Sequence, residues 1–280
     1  MKLTPIDIAA PGACVQFSDS LRDTGFAVLK LCDPSFTELL DRVYKGWGLF
    51  FNNVEKHSEL YHVRPDHSGY FPFRSENSKD SKIKDLKEFF HIYRESDIPK
   101  GLEIATWESR QYLASLGETL LLWLDLCGDY HSQFTGSEKL IDMVKNTNQT
   151  LLRVLHYPPL NGDHEEGAVR AAAHEDINLI TLLPAATTTG LQVKTKDGEW
   201  YDVPSEKGWV IVNAGDMLQE ATSGYYKSTT HRVVNPSGEA AKESRYSMPL
   251  FVHPRPEVRL STRYTAAEYL DERLKELGLK

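Results

Sequence analysis

The stretch GLQVKTKDGEWYDVPSEKGWVIVN, residues 190–213, mixes β-branched and aromatic residues with polar ones, and Lys196-Asp197-Gly198-Glu199 separates two of its β-rich runs. Asp-Gly suits the positive φ that both central positions of a type I′ turn require, so the stretch predicts a tight hairpin followed by another strand. Outward from it the pattern recurs in short runs. LLRVLHY at 151–157 and INLITLL at 177–183 precede it, while HRVV at 231–234 and YSMPLFV at 246–252 follow. Many short strands separated by turn residues predict a sandwich or barrel.

The first half reads as helices. Asp33-Pro34-Ser35 can start a helix that runs through Phe51, with Leu39, Leu40, Val43, Trp47, Phe50 and Phe51 recurring at three- and four-residue steps. A longer helix is predicted from Leu102 to about Asp129. Its centre, TLLLWLDL, is too apolar to be solvated on all sides and should lie beneath the sheet. TAAEYLDERLKELGL, at 265–279, predicts a last helix on the outside. The expectation is one domain over 1–280: mainly helical over 1–149, a β core over 150–255, and a C-terminal helix over 256–280. SENSKDSKIKD at 75–85 is polar and aperiodic, either an active-site flap or a surface loop.

A chain of 280 residues with 40% hydrophobic and 26% charged residues has the composition of an ordinary globular protein. Its net charge of -8 argues against nucleic-acid or anionic-membrane partners, which select basic surfaces. The N-terminus lacks the apolar core of a signal peptide and no apolar run of membrane-spanning length follows. Cys14, Cys32 and Cys127 are far apart and form no C-x-x-C. They read as three small buried hydrophobes in a reducing cytoplasm, with no disulfide framework and no structural zinc site.

His174-Glu175-Asp176 precedes the INLITLL run. If extended conformation begins at the motif, His174 and Asp176 project to one face and converge on one ion. His231 opens another β-rich run and can supply a third ligand from a neighbouring strand. Two histidines and a carboxylate on one face of an octahedron leave positions open, the arrangement associated with iron(II) oxygenases. The same set suits a zinc hydrolase, for which Glu175 would be the base. In Ser244-Arg245-Tyr246-Ser247 a strand would put Arg245 and Ser247 on one face, able to hold a carboxylate in a cavity or to make a structural salt bridge.

The ordered motifs LRVLHYPP, RAAAHEDINLITLL, GLQVK, GWVIVNAGDMLQEATSGYYKSTTHRVVNP and SRYSMPLFV, with weaker matches in DTGFAVL, SGYFPF and DLKEFFHI, resemble the isopenicillin N synthase-like family of iron(II) and 2-oxoglutarate-dependent dioxygenases. The resemblance implies a mainly β fold with flanking helices, a double-stranded β-helix (jelly roll). It implies iron(II) ligands at His174, Asp176 and His231, and a 2-oxoglutarate grip at Arg245, Ser247 and Tyr157. The implied reaction consumes O2 and 2-oxoglutarate, releases succinate and CO2, and oxidises a C–H bond of a small-molecule substrate. Arg170, Ile177, Tyr70, Phe71, Phe73 and Phe90 lie in or near stretches that line the pocket mouth in similar proteins. Where the family often has asparagine two residues before the tyrosine, this chain has Leu155, so a polar contact is absent or comes from Arg153 or His156. GEAAKE, at 238–243, looks inserted relative to plant members, as a polar hairpin tip that lengthens a loop without moving the carboxylate grip. An iron oxidase of the isopenicillin N synthase type, which uses no 2-oxoglutarate, and a non-catalytic jelly-roll module remain as alternatives.

Overall fold

A sheet that is apolar on both faces needs a cover on each side, and this chain uses helices on one side and a second sheet on the other. A computed structural model describes residues 2–76, 83–131, 136, 138–160, 162 and 165–276. The strands are β1 (Ile6–Asp7), β2 (Phe26–Lys30), β3 (Gly69–Phe71), β4 (Glu88–Ile92), β5 (Leu151–Tyr157), β6 (Ala171–His174), β7 (Ile180–Pro184), β8 (Leu191–Lys194), β9 (Trp200–Asp202), β10 (Trp209–Ala214), β11 (His231–Val233), β12 (Arg245–Ser247) and β13 (Leu250–Val252). The helices are α1 (Ala13–Thr24), α2 (Pro34–Phe51), α3 (Glu103–Cys127), α4 (Leu140–Met143), α5 (Asp216–Ala221) and α6 (Ala266–Glu276).

The major sheet runs β1-β2-β10-β7-β13-β5-β4-β3, with β12 also paired to β5; the minor sheet runs β6-β11-β8-β9. All pairings are antiparallel except β1 with β2. This is the jelly roll with flanking helices that the motifs imply. Between the sheets lies an apolar cluster that includes Phe26, Phe89, Leu155, Tyr157, Val193, Ile211 and Val233. On the other face of the major sheet, Leu152, Val154, Leu182 and Leu250 pack with α2 and α3.

The helices form where their sequence signals lie. The Asp33 carboxylate accepts from the amides of Ser35 and Phe36 and so caps α2, with proline in its first turn. α3 lies against the sheet at Gly117, where a Cβ would meet Val252 at 3.1 Å. α6 begins with a reciprocal cap, Thr265 donating its amide to Glu268 while the Glu268 amide points back to the Thr265 hydroxyl.

Several expectations need correcting. The hairpin between β8 and β9 exists, but its turn is not type I′. Gly198 N donates to Thr195 O, and of the turn residues only Gly198 has positive φ (88°), giving a three-residue loop closed by the Thr195–Glu199 bond. The first half is not only helical, since β1 to β4 come from it. YSMPLFV is split at Met248-Pro249 into β12 and β13. GEAAKE is a short 3-10 turn, not a hairpin tip. Cys14 and Cys127 form a disulfide between α1 and α3, 113 residues apart in sequence, and Cys32 is exposed. The cysteine pattern therefore gives no argument for a reducing compartment. Of the flap candidate, residues 77–82 lie outside the described residues, while Glu76 and Asp85 at its ends are joined by a backbone hydrogen bond and both contact Lys87. Among the described residues no helix is long and apolar enough to cross a membrane.

Trp47 has no exposed surface, donates from Nε1 to Thr106 on α3 at 2.9 Å, and packs on Phe51 and Phe90. Trp47→Ala should lower stability by about 3–5 kcal/mol through the cavity it leaves, read as a fall in the urea midpoint without a change in slope.

Candidate metal centre

Residues directly opposed in an antiparallel pair share a face, and β6 and β11 pair with His174 opposite His231. Their ring centroids are 4.4 Å apart. His174 Nδ1 lies 2.7 Å from Ala172 O, and His231 Nδ1 lies 3.1 Å from Thr229 O. A carbonyl only accepts, so each Nδ1 carries the proton and each Nε2 presents a lone pair. The Phe26 ring meets His231 edge-on at 5.5 Å.

Asp176 arrives differently from the expectation. β6 ends at His174, and Asp176 sits in the connection to β7, so strand alternation does not place it. Backbone bonds do: Asp216 N donates to Asp176 O at 2.7 Å and Gly215 N to Leu179 O at 2.9 Å. A Cβ on Gly215 would come within 2.3 Å of Asn178, so this approach requires glycine. Asp176 Oδ2 accepts from Thr181 Oγ1 at 2.5 Å and Asn213 Nδ2 at 2.9 Å. Oδ1 faces the imidazoles, 3.8 Å from each Nε2. Burial would raise the Asp176 carboxyl, but the two histidines and these donors bring it below its usual range. One ligand atom from each residue lies within 4.8 Å of the other two, a spacing that one ion can bridge. The opening is on the His174 side, whose side chain is 35% exposed against 9% for His231. Glu175, the base a zinc hydrolase would need, is exposed and bonded by the Thr230 hydroxyl.

Arg245 is 2% exposed, donates to Thr188 O at 3.1 Å and to Ser247 Oγ at 3.2 Å, and lies 5.0 Å from the Tyr157 ring opposite it in register. Among the described residues no carboxylate pairs with it, so the structural salt bridge that could have explained it is not there. Burial lowers its pKa from the ordinary arginine value. Arg170, expected at a pocket mouth, is fully buried and sits 5.9 Å from the same ring.

The aromatic expectations divide by strand face. Tyr70 and Phe90 belong to the helix-side core, and Ile177 packs against that core. This corrects their placement in the pocket. Phe73 is exposed, whereas Phe71 lies between the sheets and stacks on Phe89 at 4.5 Å. Phe89 and Phe251, which flank Arg153, were not among the candidates read from the sequence. Arg153 stands 4.4 Å from Phe89 and 5.5 Å from Phe251, and binds Glu76 and His91. His253 is held down to about 4 by burial, against the opposing pull of Asp176. The signal for Phe89, Arg153 and Phe251 was alternation along β4, β5 and β13, readable only once one residue's face is known. His156 points to the helix side, bonded to Glu88 and Ser244, so it cannot supply the contact missing at Leu155. His164 lies outside the described residues.

The sequence profile of the 2OG-Fe(II) oxygenase superfamily matches residues 148–254, which hold the triad and Arg245. The crystal structure of a candidate oxygenase from Shewanella oneidensis is 47% identical, covers 100% of both chains and superposes with a TM-score of 0.88. The chain belongs to the 2OG-Fe(II) oxygenase superfamily. A second structure of the superfamily's fold, a full-length Neurospora crassa protein in complex with alpha-KG and thymine, is 25% identical with a TM-score of 0.72, covering 91% of this chain and 86% of that one. A 2-oxoglutarate-Fe(II) type oxidoreductase of Aspergillus fumigatus is 35% identical over 166 residues, 57% of this chain and 46% of that protein. The chain thus spans less than half of that curated relative.

For a superfamily member whose ligand carboxylate is oriented from behind, Thr181→Val should weaken Fe(II) binding about tenfold to a hundredfold with the fold intact. Anaerobic calorimetric titration against wild type measures this, and Asp176→Ala sets the limit of complete loss.

Proposed function

We propose that this chain is an Fe(II)- and 2-oxoglutarate-dependent dioxygenase that oxidises, by hydroxylation, an unactivated C–H bond of a small organic substrate. The observation that carries the reading is a fully enclosed guanidinium, Arg245, with a hydroxyl beside it and no carboxylate partner among the described residues. A buried cation without a counter-charge is costly, and a dicarboxylate co-substrate supplies one. This also favours 2-oxoglutarate use over an oxidase that dispenses with it.

The residues present fit the cofactors. His174 and His231 would hold Fe(II) through Nε2 and Asp176 through Oδ1, three ligands that leave room for others. Arg245, Ser247 and Tyr157 would hold the distal carboxylate of 2-oxoglutarate. When bound, Fe(II), 2-oxoglutarate and O2 supply an oxidant strong enough for a C–H bond, with succinate and CO2 released. The protein's part is to orient and exclude. Thr181 and Asn213 keep Oδ1 of Asp176 aimed at the metal, and the apolar layer around Leu155, Leu191 and Val193 keeps water from the co-substrate.

Within the superfamily we place the chain in the isopenicillin N synthase-like branch, on the order of its motifs and the additional strands from residues before 149, with 1–280 acting as one oxygenase domain. The thymine in the Neurospora crassa complex supports a small molecule as prime substrate. Phe71, Phe89, Arg153 and Phe251, on the inter-sheet face of the major sheet, are the candidate contacts.

Anaerobic addition of Fe(II) and then 2-oxoglutarate should produce the weak visible charge-transfer band of a chelated complex. Arg245→Ala should raise the 2-oxoglutarate concentration needed by at least about thirtyfold. Fe(II) binding with no band at any concentration would sink the 2-oxoglutarate assignment.

A further inference from the structure

The site-facing cations of the neighbouring strands have carboxylate partners: Lys87 contacts Glu76 and Asp85 at 2.8 Å each, and Arg153 contacts Glu76 at 3.1 Å. Among the described residues Arg170 has none. It has no exposed surface, and its Nη2 donates to Glu243 O at 3.1 Å, but Nε and Nη1 are buried with no hydrogen-bond partner among the described residues. Its guanidinium lies 5.9 Å from the centroid of the Tyr157 ring, and that of Arg245 lies 5.0 Å from the same centroid. Burial first, and the charge of Arg245 second, bring Arg170 down to about 10, which leaves it a cation near neutral pH. Two enclosed cations beside one ring, with no carboxylate between them among the described residues, repel each other, and donors buried without acceptors cost stability. An anion bound beside Tyr157 would relieve both.

We propose that Arg170 is a second anion-binding residue of the co-substrate pocket, whose Nε–H and Nη1–H groups help hold the distal carboxylate that Arg245 and Ser247 also bind. The proposal rests on the 2-oxoglutarate reading. A carboxylate offers about four acceptor positions, enough for a second guanidinium beside the first. Arg170 immediately precedes β6 of the minor sheet and is fastened to the carbonyl of Glu243, just before β12 of the major sheet. It therefore reaches the co-substrate end of the site from the side opposite Arg245's own strand. The consequence is selectivity, because a 2-oxo acid without a distal carboxylate would leave two buried cations uncompensated.

The test uses the full chain loaded anaerobically with Fe(II), titrated by calorimetry with 2-oxoglutarate and with 2-oxopentanoate, which has the same carbon chain but no distal carboxylate. Arg170→Met should weaken 2-oxoglutarate binding about tenfold to a hundredfold and leave 2-oxopentanoate within about threefold of wild type. Arg170→Lys, which keeps the charge, should restore most of the loss. Without co-substrate, Arg170→Met should melt at or above the wild-type temperature, since it removes an unpaired buried cation. If Arg170→Met binds 2-oxoglutarate like wild type while Arg245→Met does not, the role of Arg170 is refuted and the 2-oxoglutarate reading stands. If wild type binds neither acid, both readings fall. An Arg170→Met protein that melts well below wild type and loses both acids equally would show a structural residue and overturn the proposal.

Discussion

A carboxylate buried between two sheets must find donors for its lone pairs, and the way Asp176 does so ties the metal centre to the strand register. Its two donors, Thr181 on β7 and Asn213 on β10, are directly paired residues. Asn213 is in turn paired with Phe26 on β2, whose ring supports His231. One row across three strands thus orients two of the three ligands. A slip of one residue in any of them would turn that side chain to the helix face. The histidines come from the minor sheet, but the geometry that makes them a site is set by the major one.

The same alternation divides β4 and β5 into two chemical surfaces. On the helix side Glu88 is buried and accepts from Lys56, Tyr70 and His156, and His156 continues to Ser244 beside Arg245. On the inter-sheet side Lys87, Asp85, Glu76 and Arg153 compensate one another. Both networks follow the rule that enclosed charges are paired. Against that background Arg245 and Arg170, enclosed beside the Tyr157 ring, have no carboxylate partner among the described residues.

Some of this was legible without coordinates. Asp33 as a cap, the apolar centre of α3 and the Asp-Gly turn are local signals, and each element formed near its expected bounds. The ligands were legible because their residue types and order resemble a known family. The pocket wall was not. Phe90 and Phe89 are neighbours in sequence, yet one belongs to the helix-side core and the other to the inter-sheet cluster, and nothing in the run EFFHI says which. Arg170 read only as a residue near the pocket mouth, with nothing in its surrounding sequence to show that it is enclosed. The turn at Gly198 differed in type because one positive φ sufficed to close the loop.

The sequence by itself determined the helical and β-rich regions, the jelly roll through its ordered motifs, and which residue types could hold a metal and a carboxylate. Those follow from periodicity, capping and chemistry within short stretches. Only the tertiary structure decided which face of each strand met the second sheet, that Cys14 reaches Cys127, that Asp176 is aimed by Thr181 and Asn213, and that two arginines share one buried ring. Each of these depends on residues from distant parts of the chain, whose spacing in sequence carries no record of their distance in space.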